Sequence, residues 1–67
     1  MDIQITSEFI KLDQLLKFAG VAGSGSDAKF IIEDGQVTVN GEEESRRGRK
    51  IKPGDHVAVG DQNFYVC

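Results

Sequence analysis

The spacing of apolar positions changes several times along the chain, and each change marks an element. Polar and apolar residues alternate at the start, with Ile3 and Ile5 on one side, which predicts a short strand over Asp2–Thr6. From Lys11 the period lengthens. Leu12, Leu15, Leu16 and Ala19 fall at the i, i+3, i+4, i+7 positions of one helix face. Phe9-Ile10 just ahead of them suits a hydrophobic staple, and Gly20 supplies a left-handed stop. The small-residue stretch Gly20–Ser26 then joins this helix to a second. Ser24, followed three residues later by Asp27, is a shortened variant of the capping box, and Ala28, Ile31 and Ile32 form the buried face of a helix ending at Gly35.

Beyond Gly35 the period is two. Val37-Thr38-Val39 alternates, Asn40-Gly41 is a tight hairpin turn because both residues tolerate positive φ, and Glu42–Ser45 returns. A basic loop, Arg46–Lys52, leads to a Pro53-Gly54-Asp55 turn. Val57–Val59 and Phe64–Val66 follow as an antiparallel pair around Gly60–Asn63. The predicted order is strand, helix, helix, hairpin, basic loop, hairpin, which is an α+β chain without repeats.

With 67 residues the expectation is a single domain, 1–67, near the lower size limit, leaving no room for a large catalytic cavity. No apolar run approaches a membrane span, and no basic segment followed by an apolar one opens the chain, so a non-secreted, cytoplasmic protein is expected. The single cysteine, Cys67, has no intramolecular partner, in keeping with a reducing compartment.

Charge changes the picture most. Five of the eight Lys and Arg residues lie within Arg46–Lys52, a +5 segment in a chain of net charge −3, so the remainder carries −8. Such a field attracts a polyanion to one face and repels it elsewhere.

Lys11-Leu12-Asp13 with Leu16 resembles the Arg-Leu-Asp-x-x-Leu opening of the S-four-type RNA-binding domain, the alpha-L RNA-binding motif. Ser24, Ala28, Ile31-Ile32, Gly35, Val37, Val39, Asn40-Gly41 and Gly54-Asp55-x-Val57 continue that pattern at compatible spacing. The resemblance implies two short helices packed on each other and on a small, mainly antiparallel sheet of about four to five strands. It also implies docking on structured RNA by the helix edges and adjoining loop, and the small stand-alone, ribosome-associated type of member. Lys11 stands at the motif's arginine and keeps charge without the planar fork; Lys29 matches a position that is frequently basic. Gly25 replaces a frequent arginine and Asp27 adds a negative charge, which shifts weight to the loop.

The candidate RNA-binding set is therefore Lys11, Lys29, Asn40, Arg46, Arg47, Arg49, Lys50 and Lys52, with Gln36 and Ser24 as further polar candidates. Cations bind phosphate oxygens by charge-assisted hydrogen bonds, and about five such contacts imply a log–log salt slope near −3 to −4. The competing reading is a solvated loop neutralised by Glu42, Glu43 and Glu44, the triplet itself being a solvated strand face. Phe9, Phe18, Phe30, Phe64 and Tyr65 are expected mostly in the core. His56 has no Cys or His at ligand spacing, so no metal is expected, and no cofactor motif or nucleophile-and-base arrangement is present. Asp13 and Asp55 suit caps or turns. The leading expectation is a monomeric, non-catalytic RNA-binding protein that docks on structured RNA, namely ribosomal RNA or a ribosome-assembly intermediate, with no membrane or small-molecule partner. The alternative is a protein-interaction module whose basic loop takes an acidic protein partner.

Overall fold

The computed structural model describes residues 1–67. Two short strands, β1 (Asp2–Ile3) and β2 (Ile10–Lys11), precede helices α1 (Leu12–Phe18) and α2 (Gly25–Glu33). Five strands follow: β3 (Val37–Val39), β4 (Glu42–Glu43), β5 (Lys50–Ile51), β6 (His56–Val59) and β7 (Gln62–Val66). The main sheet has the order β1-β7-β6-β3-β4, antiparallel except for the β1–β7 pair, and β2 with β5 forms a separate antiparallel ladder. This is the α+β arrangement of two helices with a mainly antiparallel sheet that the sequence predicts.

Both helices end alike, for the same backbone reason. At the end of α1, Gly20 takes φ +80°, its N–H donates to the Lys17 carbonyl at 3.1 Å, and Val21 N–H reaches Leu16 at 2.9 Å. At the end of α2, Gly35 takes φ +82° and, with Gln36, closes onto Ile32 and Ile31 at 3.2 and 3.4 Å. Each closure satisfies carbonyls that the helix end leaves without partners. Ser24 caps α2 by accepting from Asp27 N–H at 3.1 Å.

Helices of seven and nine residues do not persist alone in water, so packing holds them. Leu12, Leu15 and Leu16 of α1 and Ala28 and Ile32 of α2 are fully buried against Val37, Val39, Val57, Val59, Phe64 and Val66 of the sheet. Each large buried aliphatic side chain contributes about 1.5–3 kcal/mol. Ile31, expected on the buried face of α2, lies half-buried at its margin.

Four expectations change. The aromatics are mostly outside: Phe18 and Phe30 are 68 and 66 % exposed and Tyr65 is exposed, so only Phe64 is a core residue. The aliphatic residues already fill a core this small. The first strand stops at Ile3, although its backbone stays tied to the C-terminal strand by Cys67 N–H to Ile3 O and Ile5 N–H to Cys67 O, both 2.9 Å. The last hairpin turns on Gly60-Asp61 alone, since Val59 pairs with Gln62. Arg46–Lys52 is not one loop but a tight turn followed by β5, whose Ile51 is fully buried.

Candidate nucleic-acid interface

The basic segment is ordered by its backbone. Arg49 N–H donates to Arg46 O at 3.2 Å and closes the Arg46–Arg49 turn, and Lys50-Ile51 then pairs with Lys11-Ile10. Lys11, at the start of α1, offers no side-chain cap; instead Leu12 N–H donates to Arg49 O at 2.9 Å and Asp13 N–H to Arg47 O at 3.0 Å. The turn thus supplies the acceptors that the first helical N–H groups need.

This ladder brings together residues far apart in sequence. Ile10 opposes Ile51 on the inward side, so Lys11 and Lys50 share the outward side. Lys50 Nζ lies 5.0 Å from the centre of the Phe9 ring, a cation–π distance. Phe9 is therefore a shelf beneath a lysine at the edge of the patch.

The acidic triplet is split. Glu42 and Glu43 are exposed, as expected of a solvated strand, but Glu44 is 6 % exposed. Its carboxylate accepts from Arg46 Nε at 3.1 Å and Nη2 at 3.3 Å, from Arg49 Nη1 at 2.8 Å, and from the backbone N–H groups of Ser45 and Arg46 at 3.1 Å each. Hydrogen bonds from Arg46, then from Arg49, hold this carboxyl down at a pKa of about 2 against the opposing effect of burial. The Arg46 guanidinium is correspondingly raised by its bond to Glu44. Period-two counting from the Asn40-Gly41 turn puts both Glu42, opposite Val39, and Glu44, whose N–H bonds Val37 O at 3.0 Å, on the face of the two buried valines; Glu42, next to the turn, is exposed and Glu44 is covered. Glu44 therefore stands on the core side of the hairpin.

Arg47 is half exposed, with Nε 3.9 Å from Asp13. Lys11, Lys50 and Lys52 have no carboxylate within ion-pair distance. Asn40 is fully engaged in the fold: at φ +53° its Nδ2 donates to Asp55 at 3.1 Å and its Oδ1 accepts from His56 N–H at 2.9 Å. Asp55 also accepts from Lys52 N–H at 2.8 Å. Burial pushes the Asp55 carboxyl up, but the Lys52 N–H, the Asn40 amide and the charges of Arg49 and Lys52 outweigh it and leave it below its ordinary range. Lys29 is exposed on α2 and makes no hydrogen bond or ion pair with the turn. Gln36 bonds Asp34 at 2.8 Å.

An open concavity of about 700 Å³ is lined by Arg46, Gly48, Arg49, Lys50, Lys52 and Asp55, with no apolar side chain. The six cations Arg46, Arg47, Arg49, Lys50, Lys52 and Lys11 outnumber the carboxylates Glu44, Asp13 and Asp55, leaving this region at +3 and the rest of the chain at −6. A site of this kind suits an extended anion with several charged oxygens and offers nothing to an apolar ligand. No cluster of His, Cys, Asp and Glu is arranged to hold a metal ion, and no helix is long and apolar enough to cross a membrane.

A helical pair whose leading strand is tied to a cationic turn, backed by a mainly antiparallel sheet, defines a small α+β class with one positively charged face. The chain belongs to the S4 domain family, whose model matches residues 3–67. It is similar to the "Probable ribosome maturation protein RlbA" of Bacillus subtilis (strain 168), with 46 % identity over 65 residues, covering 96 % of this chain and 92 % of that one. The "Putative RNA-binding protein YbcJ" of Escherichia coli (strain K12) is 39 % identical over 57 residues, 85 % of this chain and 81 % of the other. The "Small ribosomal subunit protein uS4" of Pelotomaculum thermopropionicum is 34 % identical over 53 residues, which is 79 % of this chain but only 26 % of that longer protein.

Proposed function

We propose that the protein binds structured RNA without catalysing a reaction, and that its target is ribosomal RNA or a ribosome-assembly intermediate. The observation that carries this reading is the concavity lined by Arg46, Arg49, Lys50 and Lys52 in a chain otherwise strongly acidic. Arg47 and Lys11 extend the contact along the turn and the start of α1; Asn40 bonds Asp55 at the concavity's edge, and Lys29, exposed on α2, offers a separate cation. The names of the relatives support the target: one reads "Probable ribosome maturation protein", one "Putative RNA-binding protein" and one "Small ribosomal subunit protein". Cations on phosphate fix position, and the shape of the RNA supplies selectivity.

The test is a gel-shift titration against purified ribosomal RNA at several salt concentrations. Wild type should bind with affinity falling steeply in salt, and the triple variant Arg46→Gln, Arg47→Gln, Arg49→Gln should lose binding at a temperature where circular dichroism shows it folded. The combination Arg47→Gln, Lys50→Gln, Lys52→Gln, which leaves the Glu44 bonds intact, should weaken binding as well. Glutamine is preferred to glutamate because a carboxylate at 46 or 49 would face Glu44. Unchanged affinity in the triple variant overturns the reading. Capture of an acidic protein that survives ribonuclease would favour an interaction module instead.

A further inference from the structure

Glu44 is the one charged residue buried in this chain, and it lies behind the two arginines that line the concavity. A carboxylate there lowers the local positive potential, so simple electrostatics makes it a handicap for an anion-binding face. Its geometry argues otherwise. Each guanidinium has five N–H groups in a fixed fork. Arg46 gives two to Glu44 and Arg49 gives one, so seven of the ten remain for another acceptor. Arg46 is bound edge-on through Nε and Nη2 and still keeps 76 % of its side chain exposed. Arg49 is fixed at 2.8 Å with its side chain 33 % exposed. The carboxylate itself cannot swing away, because the Ser45 and Arg46 N–H groups hold it and only 8 % of its side chain reaches solvent.

We propose that Glu44 is a positioning residue for phosphate recognition, clamping Arg46 and Arg49 so that their remaining N–H groups line the concavity together. By this account it strengthens binding to the RNA backbone although it carries the same sign of charge as the ligand. The gain is preorganisation: two long side chains lose rotamer freedom when the chain folds instead of when RNA arrives. The inference rests on the RNA-binding reading above.

The experiment compares wild type, Glu44→Gln, Glu44→Asp and Glu42→Gln on purified ribosomal RNA, each over a salt series, with folding checked by circular dichroism. Glu42→Gln makes the same charge change on the same hairpin at an exposed position and should bind as wild type does or slightly more tightly. Glu44→Gln should bind about tenfold more weakly, with a log–log salt slope shallower by about 1–2 as phosphate contacts are lost. Glu44→Asp keeps the charge but retracts the carboxylate, and should fall between the two. Loss of active protein lowers apparent affinity without changing the slope, so weaker binding at an unchanged slope overturns the proposal. So does binding by Glu44→Gln that equals or exceeds that of Glu42→Gln, which would make Glu44 a competitor of phosphate. Should Glu44→Gln fail to fold, wild-type affinity and slope in Glu44→Asp overturn it equally. Absence of salt-dependent binding by the wild type would instead strike at RNA binding itself.

Discussion

Lys11 and Lys50 stand directly opposite each other across a ladder only two residues long, two lysines on one side of a pairing that stands apart from the main sheet. Like charges so placed destabilise a ladder by about 0.2–1 kcal/mol, and an external polyanion reverses the sign. Lys11→Glu should therefore act in opposite directions on two measurements. Chemical denaturation should give a chain more stable by up to about 1 kcal/mol, while RNA titration should show weaker binding and a salt slope reduced by about 1.

Acid should destabilise the chain in a defined window. The Glu44 carboxyl sits at about 2 in the folded chain against an ordinary value of 4.5, and Asp55 is lowered too. As pH falls the unfolded chain takes up these protons first. The stabilising contribution is thus complete above about pH 4.5 and is lost progressively toward pH 2. Thermal melts should be flat near neutral pH and decline below that point, with a smaller decline in Glu44→Gln.

Asn40 combines a left-handed backbone with two side-chain hydrogen bonds, and two substitutions separate these roles. Asn40→Gly removes the bonds but accepts the backbone, and should cost about 1–2 kcal/mol. Asn40→Ala adds the left-handed penalty, about 1–2 kcal/mol more. Urea titration of the pair resolves the difference.

Two residues of α1 reverse the usual expectation that size predicts importance. Leu16 is fully buried, and Leu16→Ala should cost about 2–5 kcal/mol, a large part of the about 3–10 kcal/mol available to a chain of this length. Phe18→Ala removes an exposed ring and should change stability by no more than about 0.5 kcal/mol. Denaturant midpoints of the two variants provide the comparison.

The helices and hairpins were legible because their signals are local. Leu12, Leu15 and Leu16 mark a face, Gly20 and Gly35 mark stops, and Asn40-Gly41 sets a register. The β2–β5 ladder was not, since two residues on each side carry no period and their pairing is set by how the turn meets α1. The cationic patch was visible as composition, and its coupling to Glu44 was visible only by carrying the hairpin register three pairs beyond the turn. The aromatics misled because hydrophobicity says what a residue tolerates, whereas the available core volume decides which residues are admitted. Here Val, Ile and Leu already occupy it.

The bonds from Leu12 and Asp13 N–H to the carbonyls of Arg49 and Arg47 make the start of α1 a mechanical reporter of the turn. Any event that stiffens Arg46–Arg49 must slow the opening of those two bonds, and any event that pulls the turn outward must release them. Hydrogen exchange at two backbone amides therefore registers the state of a surface that lies on another part of the chain. A ligand held on the cationic face would then be read as slower exchange at the first turn of a helix.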